Sequence, residues 1–427
     1  MKRRSFLGST LTTTAGAVFP FPAFAGDAER RVEQAHTEIW RRFIDPYGIM
    51  VDFADLNGKV NLPTPEECRE GKPNALGWFQ PIENGAMFNG MYMDAAVNRW
   101  WHTKSADDAA KARKLMEGLL LLNSISDVKG FVGRGVSTDG KSHYPMGSND
   151  QTMPWFFGLW RYLDAGPVTE EERKRIVAKL VETAEVIRDL GWQMPAEPPF
   201  SKRGTFAGFS FESAPRMLFV AKLMGQLTKD AKWELFYRRA LDESGAPDNM
   251  SRRAICERGM VFTYAKTHNW TSCTTVCALR GLWEMETDPT IKEVYAKGLR
   301  ASAKLAAESL PFAQQFDSKD PSVFSQDWRK AMMPLWKPQQ TEVEAQKLAD
   351  AQVKEFLKIS PRRNKETAFV REPTAAAWIV TLCPDEAVLK HHADAIYRVI
   401  AQYDYSQVYY STFFWVEGAW WRLKDLK

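Results

Sequence analysis

Residues 269–285 read NWTSCTTVCALRGLWEM, and residues 290–309, shortly after them, read TIKEVYAKGLRASAKLAAES. The first segment is nearly free of charge, since Arg280 is the only charged residue between Trp270 and Trp283. A helix that is apolar all round must be surrounded by protein. The second segment places charged residues around an apolar stripe, which is typical of a helix with one face in water. Together they predict a buried helix followed by an amphipathic helix that covers it.

The same alternation continues along the chain. Charged, amphipathic segments span residues 27–44, 107–125, 169–190, 230–243, 290–309 and 385–402. Nearly uncharged segments span residues 84–101, 149–163, 211–227, 269–285, 372–382 and 411–423. The alternation predicts an all-α fold in which an outer ring of six helices surrounds an inner ring of six, the (α/α)6 toroid. An irregular stack of helical hairpins with a concave surface is the alternative fold.

The connections differ in length according to their direction. Links from an uncharged to a charged segment are short and carry helix-start signals, such as the capping-box pattern of Thr169 and Glu172. Links in the other direction are long and span residues 45–83, 126–148, 191–210, 244–268 and 310–371. Long loops on one face of a regular scaffold are where functional sites are usually built. We therefore expect the site at the N-termini of the inner helices, and an insertion at about 310–371 with a helix at 342–357.

Composition and charge restrict the class of protein. A chain of 427 residues with 44% hydrophobic and 26% charged residues is globular rather than disordered. The formal charge of +4 includes Lys2, Arg3 and Arg4, and subtracting these three leaves +1. Neither nucleic acid nor an anionic membrane is therefore indicated as a partner. No stretch after residue 25 approaches the roughly 20 apolar residues that span a bilayer.

The first 25 residues have the features of an export signal. Residues 3–7, Arg-Arg-Ser-Phe-Leu, resemble the twin-arginine motif, and an apolar stretch follows them. Residues 23–25, Ala-Phe-Ala, form a small-x-small cleavage site. An ordinary secretory signal is the alternative. Either signal predicts a periplasmic or secreted protein that consists of one domain, residues 26–427.

No metal or cofactor is expected from the sequence. Cys273 and Cys277 are four residues apart on a predicted helix, but without further His or Cys partners this spacing is weak evidence for zinc. Small buried residues are the preferred interpretation of both cysteines. The chain also lacks a Gly-x-Ser-x-Gly turn, a His-Glu-x-x-His pair and an EF-hand loop.

Polar residues begin the inner helices and are the candidate site. They are Glu83, Asn84, Asn149, Asp150, Gln151, Glu212, His268, Asn269, Trp270 and Glu372. Asn, Asp and Ser are common there because their oxygens accept free backbone N–H groups, so capping explains any one of them equally well. Glu is a poorer cap, and Glu83, Glu212 and Glu372 fit that explanation less well. The recurrence of carboxylates at several helix starts favours a common site.

The loop of residues 130–151 is the densest polar segment. It contains five glycines together with Arg134, His143 and Tyr144, side chains suited to binding hydroxyl and carboxylate groups. It lacks the spacing of a nucleotide-binding loop. Trp155, Trp160, Trp192 and Trp270 are candidates to stack on sugar rings, although each taken singly is more often part of a core.

On helix order and loop asymmetry, residues 26–427 resemble the six-hairpin glycosidase-like superfamily, which contains (α/α)6-toroid glycoside hydrolases and polysaccharide lyases. The resemblance implies a carbohydrate substrate and, for a hydrolase, two catalytic carboxyl groups. Asp150 is the first choice and Glu212 the second, with Glu372 and Glu83 as substitutes. His268 completes the catalytic candidates, and the remaining polar residues are assigned to substrate binding.

Two other functions stay open at this point. A lyase that acts on a uronate by β-elimination needs a group that neutralises the carboxylate and a base that removes the adjacent proton. His268, Asn269, Tyr264, Arg134, His143 and Tyr144 offer such groups. A non-catalytic periplasmic carbohydrate-binding protein needs the same aromatic and polar residues but no pair of carboxylates.

Overall fold

The computed structural model describes residues 25–262, 268–424 and 426, and it is mostly helical, which confirms the all-α prediction. The export signal predicted for residues 1–25 lies outside the described residues, apart from Ala25. Tyr264 also lies outside them. No helix within the described ranges is long and apolar enough to cross a bilayer.

The uncharged segments form helices that are buried on nearly all sides. These six buried helices, numbered in chain order, are Gly85–Thr103, Asn149–Ala165, Ala214–Thr228, Asn269–Met285, Glu372–Thr381 and Trp415–Leu423. Two of them start later than predicted. The third begins at Ala214 rather than at residue 211, with Pro215 in its first turn, and in the sixth Ser411–Phe414 forms a 3-10 turn before the α-helix.

The charged segments form helices with one buried face. These amphipathic helices are Ala25–Glu38, Ala106–Leu122, Glu170–Asp189, Ala231–Asp242, Pro289–Ala307 and Glu386–Ala401. The predicted capping box of Thr169 and Glu172 is confirmed, because each side chain accepts the backbone N–H of the other residue. The insertion contains the predicted helix as Glu342–Ile359, preceded by Trp328–Met332 and followed by Pro361–Glu366.

The remaining elements are short. Two further helices lie in the long loops, Pro65–Arg69 and Arg252–Arg258. Single turns of π- or 3-10 helix are Ile39–Phe43, Thr367–Arg371, Leu310–Gln315, Met333–Leu335 and Tyr405–Gln407. Two antiparallel hairpins pair Gln193–Pro195 with Lys202–Thr205 and Ser244–Gly245 with Met250–Ser251.

The buried helices contact one another in chain order. Each contacts the next one, and the sixth contacts the first, but the fourth also contacts the second extensively and touches the first. Every amphipathic helix packs against at least one of them, and four of the six, Ala106–Leu122, Glu170–Asp189, Pro289–Ala307 and Glu386–Ala401, each contact two. The main hydrophobic core lies between these two sets of helices. The buried helices are therefore held together by tertiary packing.

A buried carboxylate ties several of these helices to one another. Asp94 of the first buried helix has no solvent exposure. It accepts hydrogen bonds from Arg422 of the sixth (2.7 Å twice), Arg161 of the second (3.0 Å) and Trp378 of the fifth (3.0 Å). Burial opposes its ionisation, but the charges of Arg422 and Arg161 outweigh burial and lower the pKa of Asp94 to about 2. Asp94 thus joins four of the six buried helices.

The first and second buried helices approach each other closely at glycines. A Cβ atom added at Gly90 would lie 2.0 Å from the carbonyl oxygen of Pro154, and one added at Gly158 would lie 2.7 Å from the Cα atom of Gly90. These distances are far below van der Waals contact. The two backbones can therefore pack this tightly only because both positions lack a side chain.

Gly90→Ala is expected to lower the free energy of unfolding by about 1–3 kcal/mol, because the added methyl group forces two packed helices apart. Gly225→Ala is the matched control inside another buried helix, since the nearest atom to its added Cβ is 3.6 Å away. That change should raise the free energy of unfolding by about 0.5–1 kcal/mol through the better helix propensity of Ala. Urea denaturation measures both, and a Gly90→Ala protein as stable as wild type would contradict the packing described here.

Candidate active site

The loop ahead of the first buried helix joins its start to that of the sixth. The carboxylate of Asp52 accepts hydrogen bonds from the backbone N–H of Asn84 (2.8 Å) and from its side-chain Nδ2 (2.7 Å). The carbonyl oxygen of Asp52 accepts the backbone N–H of Ser411 (2.8 Å) and its hydroxyl (3.0 Å). Asp52 therefore caps the first helix and also fixes the start of the sixth.

Three residues predicted to bind substrate instead hold the first and second helix starts together. Gln151 donates to the side-chain oxygen of Asn84 at 3.1 Å and accepts the N–H of Met87 at 3.0 Å. Arg134 is 4% exposed and donates to the carbonyl oxygens of Met146, Glu83 and Gly147 at 3.0–3.2 Å. Burial lowers the pKa of Arg134 to about 10. Through these contacts Gln151, Asn84 and Arg134 act as structural residues that support the site.

Asp150 links the second, third and fourth helices. One of its carboxylate oxygens lies 2.9 Å from Nη2 of Arg216, a third-helix residue whose side chain is 1% exposed. Arg216 also donates to the hydroxyls of Thr274 (2.5 Å) and Thr275 (2.9 Å) of the fourth helix. The Asp150 side chain is 38% exposed, so its carboxylate is held by Arg216 on the buried side and is open to solvent on the other. Asn149, beside it, is half-buried against the backbone of Gly204.

The fourth and fifth helices meet through Glu372. Its carboxylate accepts the backbone N–H of Asn269 at 2.7 Å, so Glu372 caps the neighbouring helix rather than its own. Arg371, the residue before it, places its guanidinium 4.4 Å from the ring centre of Trp270. The hydroxyl of Thr374 in the fifth helix donates to the carbonyl of Thr412 at 2.9 Å, which joins the fifth helix to the sixth.

His268 brings the predicted catalytic residues into one group. Burial lowers the pKa of His268, Arg371 lowers it further, and Glu372, Asp150 and Glu212 oppose this shift by their charges. All four charged groups therefore lie close enough to act on one imidazole. We refer to the set of charged residues at these helix starts as the polar cluster: Asp52, Glu83, Asp150, Glu212, His268, Arg371 and Glu372.

Glu83 and Asp52 form a buried carboxyl pair within the polar cluster. Asp52 has no solvent exposure and Glu83 is 8% exposed. Burial and the adjacent Glu83 raise the pKa of Asp52 well above its usual value. Burial also raises the pKa of Glu83, against the opposing charge of Arg134 and a hydrogen bond from the N–H of Phe79. The pair therefore retains a proton to higher pH than two exposed carboxyl groups would.

Two predicted substrate-binding residues lie outside the polar cluster. Tyr144 is fully buried, and its hydroxyl donates to the carbonyl of Lys72 at 2.6 Å, which makes it a structural residue. His143 instead lines a separate cavity of about 670 Å3 together with Lys141, Glu197 and Phe200. The sequence placed both in one site because it cannot show which way the side chains of a loop point.

The surroundings of His143 determine its charge. Nδ1 lies 2.9 Å from the carbonyl oxygen of Lys141, and Nε2 lies 3.0 Å from a carboxylate oxygen of Glu197. Since both partners are acceptors, the arrangement favours the imidazolium form, in which both ring nitrogens donate. Burial is the largest single effect and opposes this charge, but the hydrogen bonds to Glu197 and to the carbonyl of Lys141, together with the charges of Glu197 and Asp139, raise the pKa of His143.

We expect an NMR titration of His143 to give a pKa above the reference value of about 6.5. Because the folded pKa is the higher one, the pair stabilises the fold below that reference pH, and the contribution is lost as pH rises through the folded pKa. Glu197→Gln should shift the titration to lower pH, since burial then acts without the carboxylate. An unchanged titration in that variant would contradict the pairing.

The tryptophans predicted to stack on sugars are mostly core residues. Trp155, Trp160 and Trp192 are 0–6% exposed and pack against other aromatic rings. Trp270 is half-buried at the polar cluster. The five cysteines, all within the described ranges, are buried and unpaired. The burial of Cys273 and Cys277 thus agrees with their interpretation as small buried residues.

Sequence reasoning missed three residues of this site. Asp52 is a single acid inside the apolar run of residues 49–54, and Arg216 is a charge inside a buried helix. Both are the kind of isolated charge that an apolar segment rarely carries without a partner. Arg363 belongs to the site because its charge opposes the raised pKa of Asp52 and of Glu83. It lies in the insertion and gives no such signal, since charged residues surround it in the sequence. No family model, curated protein or solved structure was found to match this chain.

Proposed function

We propose that this chain is an exported glycoside hydrolase whose active site is the polar cluster. The observation that carries the proposal is the contrast between two carboxyl environments there. Burial beside Asp52 raises the pKa of Glu83. Asp150, in contrast, is half-exposed and paired with Arg216. Cleavage of a glycosidic bond by acid–base chemistry uses two carboxyl groups whose environments differ in this way.

An (α/α)6 toroid is the scaffold that we propose for this site. The order of helix contacts supports it, because the sixth buried helix returns to the first and the amphipathic helices lie against the buried ones. The hydrogen bonds of Asp52, Gln151, Arg216 and Glu372 support it further, since they join neighbouring helix starts in the same order. A ring would place all these starts around one axis.

Glu83 is the general acid in this mechanism. It is the member of the carboxyl pair with some solvent exposure, so it is the one that a substrate can reach. Glu83 donates its proton to the glycosidic oxygen as the bond from that oxygen to the anomeric carbon breaks. Asp52 acts behind it as a positioning residue, because its proximity keeps a proton on the pair.

Asp150 is the second carboxyl group. It either attacks the anomeric carbon or accepts a proton from the water molecule that does so. The ion pair with Arg216 holds its carboxylate in a fixed direction for either role. The charges of Asp150 and Glu212 both act on His268, and the lowered pKa of His268 favours a neutral imidazole that hydrogen-bonds to sugar hydroxyls.

A polysaccharide lyase is the second candidate, and one specific observation favours it. Neutral His268 lies near Arg371, which offers a base next to a cation. In β-elimination His268 would remove the proton beside the uronate carboxylate, Arg371 would neutralise that carboxylate, and the bond to the leaving oxygen would break. The product would carry a carbon–carbon double bond.

The test is to incubate protein of residues 26–427 with neutral and uronate-containing polysaccharides. Each reaction is followed by new reducing ends and by the ultraviolet absorbance of an unsaturated uronate. We expect reducing ends without that absorbance. Both signals together would favour the lyase, and neither signal with any substrate would contradict an enzyme and favour a binding protein.

Export is a separate part of the proposal, and it places the protein in the periplasm or outside the cell. It rests on the paired arginines and on the small-x-small site of residues 23–25. The expected result is a mature chain that begins at Gly26 or Asp27 in the periplasmic or extracellular fraction. N-terminal sequencing checks this, and an intact first segment in the cytoplasm would contradict it.

A further inference from the structure

Phe79 adopts a backbone conformation that bulky residues rarely take. Its φ angle is +58°, in the left-handed region, where the Cβ atom crowds the following carbonyl oxygen. Lys104 and Lys229 also have positive φ angles, but both are helix C-caps, where this conformation is common. Phe79 instead lies in the loop of residues 70–84. Backbone strain of this kind persists only where the surroundings hold it, and it is frequent at functional sites.

The backbone N–H of Phe79 binds the carboxyl group that we propose as the general acid. It donates to Oε2 of Glu83 at 2.7 Å. The turn between them is closed by the N–H of Gln80, which donates to the carbonyl of Gly77 at 3.3 Å, and by the N–H of Glu83, which donates to the carbonyl of Gln80 at 3.2 Å. Because a backbone donor has no rotamers, it holds the carboxyl group of Glu83 in one orientation.

The insertion of residues 310–371 holds Phe79 in place. The ring of Phe79 meets that of Phe356 edge to face, with 6.1 Å between the ring centres. The guanidinium of Arg363 lies 5.0 Å from the centre of the Phe79 ring. Asn74, in the same loop, donates to the side chain of Gln352 at 3.0 Å, and both residues are fully buried. The insertion therefore supplies the packing that the strained backbone needs.

The hydrogen bond from Phe79 affects both protonation states of Glu83. Burial raises the pKa of Glu83, and the N–H opposes this shift because it stabilises the charged form. In the neutral form the N–H favours the carbonyl oxygen at Oε2, so the proton lies on Oε1. Other titratable, charged or polar groups that surround this carboxyl group are Asp52, Asn84, Arg134, Arg363 and Tyr410.

We propose that Phe79 is a positioning residue: its backbone N–H, fixed by the insertion, holds Oε2 of Glu83 and leaves Oε1 to carry the proton for the substrate. This inference rests on the proposed function, since it names the residue that orients the general acid. The proton passes from Oε1 to the glycosidic oxygen, which also takes the electron pair of the breaking bond to the anomeric carbon. The N–H of Phe79 then stabilises the carboxylate that remains.

The experiment removes this N–H and keeps the side chain. Phe79 is replaced by its α-hydroxy analogue, phenyllactic acid, which puts an ester oxygen in place of the N–H. The titration of Glu83 is followed by carbon-13 NMR of its carboxyl group, identified by its absence in Glu83→Gln. Because the donor stabilises the charged form, its loss should move the titration midpoint upward by about one pH unit. The fall of turnover with rising pH should move upward too, and kcat should drop about tenfold because the carboxyl group is less well oriented.

Ala75 provides the matched control. Its N–H donates to Oε1 of Gln339 at 2.7 Å, so it too joins this loop to the insertion, but its acceptor is a neutral amide. Replacement of Ala75 by lactic acid removes that hydrogen bond in the same way. The titration midpoint of Glu83 should then stay where it is in wild type.

Two further variants test the backbone conformation. Phe79→Gly and Phe79→Val both remove the ring, but glycine adopts a positive φ angle freely, whereas β-branched valine resists it. We expect Phe79→Val to move the midpoint of Glu83 upward like the ester, and Phe79→Gly to move it less. Lys229→Val is the control at a similar φ angle of +59°, at the end of the third buried helix. It should lower stability in urea without moving the midpoint.

The NMR titration needs no substrate, so it separates this inference from the proposed function. A Glu83 midpoint that stays in place in the phenyllactate protein, or that moves equally in the Ala75 control, would overturn the inference. If wild type cleaves a polysaccharide in that case, the hydrolase still stands. An upward shift in a protein that cleaves no substrate would contradict the proposed function and leave the N–H of Phe79 with a purely structural role.

Discussion

Glu83→Gln and Asp150→Asn are each expected to lower turnover by about two orders of magnitude or more. Glutamine at position 83 cannot donate the proton that the leaving oxygen needs, and asparagine at position 150 supplies no negative charge or base. Both replacements keep the shape of the side chain. Rates are measured on the polysaccharide for which wild-type protein shows new reducing ends, with circular dichroism to verify folding.

Glu197→Gln is the matched control for these two variants. It removes a half-buried carboxylate on another long loop, but one that pairs with His143 in the separate cavity. Its turnover should equal that of wild type. Loss of activity in Glu197→Gln together with normal activity in Glu83→Gln and Asp150→Asn would move the active site to the His143 cavity.

Asp52→Asn tests the carboxyl pair through the pH profile. A general acid must be protonated, so turnover falls as pH rises through the pKa of Glu83. The buried pair keeps one proton because a second negative charge beside the first is unfavourable. Asparagine at position 52 removes this repulsion, so the fall should move to lower pH. A profile that is scaled down without any shift would assign Asp52 a purely structural role.

Asp94→Asn has the largest effect that we expect on stability. The change removes the carboxylate that pairs with both Arg161 and Arg422, and Arg161 keeps only the longer ion pairs with Asp164 (3.5 Å) and Glu284 (3.6 Å). Breaking a buried ion pair in this way costs about 3–5 kcal/mol. Urea denaturation should show this loss in the free energy of unfolding. Glu117→Gln is the control: Glu117 takes two hydrogen bonds from Arg175, but both side chains are more than 40% exposed. Its cost should be about 1 kcal/mol or less.

The stability difference between wild type and Asp94→Asn should depend on pH. The pKa of Asp94 is about 2 in the folded protein, against about 3.9 in the unfolded chain. Because the folded pKa is lower, the stabilisation is complete above the unfolded value and is lost as pH falls toward the folded value. The difference should therefore narrow between pH of about 4 and about 2. A constant difference would show that the charge of Asp94 is not its cause.

The sequence predicted the helices well because their burial is a local property of composition. A segment such as residues 269–285 carries almost no charge, so only a buried helix fits it. The loop asymmetry then located the polar helix starts. The third helix began three residues later than predicted, since a pattern of apolar residues does not show where a turn ends and a helix begins.

The contacts of the site could not be predicted because they join residues that are distant in the chain. From the sequence, Glu372 is a poor candidate to cap its own helix, and in the structure it caps the helix that begins at Asn269, 103 positions earlier. His143 contacts Glu197, 54 positions later in the chain. It therefore lies outside the polar cluster, although its side-chain chemistry would suit such a site. Side-chain direction in both cases depends on tertiary packing, which no local pattern encodes.

The central claim is that catalysis takes place at the helix starts around Glu83, Asp150 and His268. A crystal structure of Asp150→Asn with the oligosaccharide that wild-type protein cleaves tests it most directly. We predict a sugar at the polar cluster, with its glycosidic oxygen within hydrogen-bond reach of Glu83 and a ring near Trp270. A sugar bound in the cavity beside His143, with the polar cluster empty, would contradict the account.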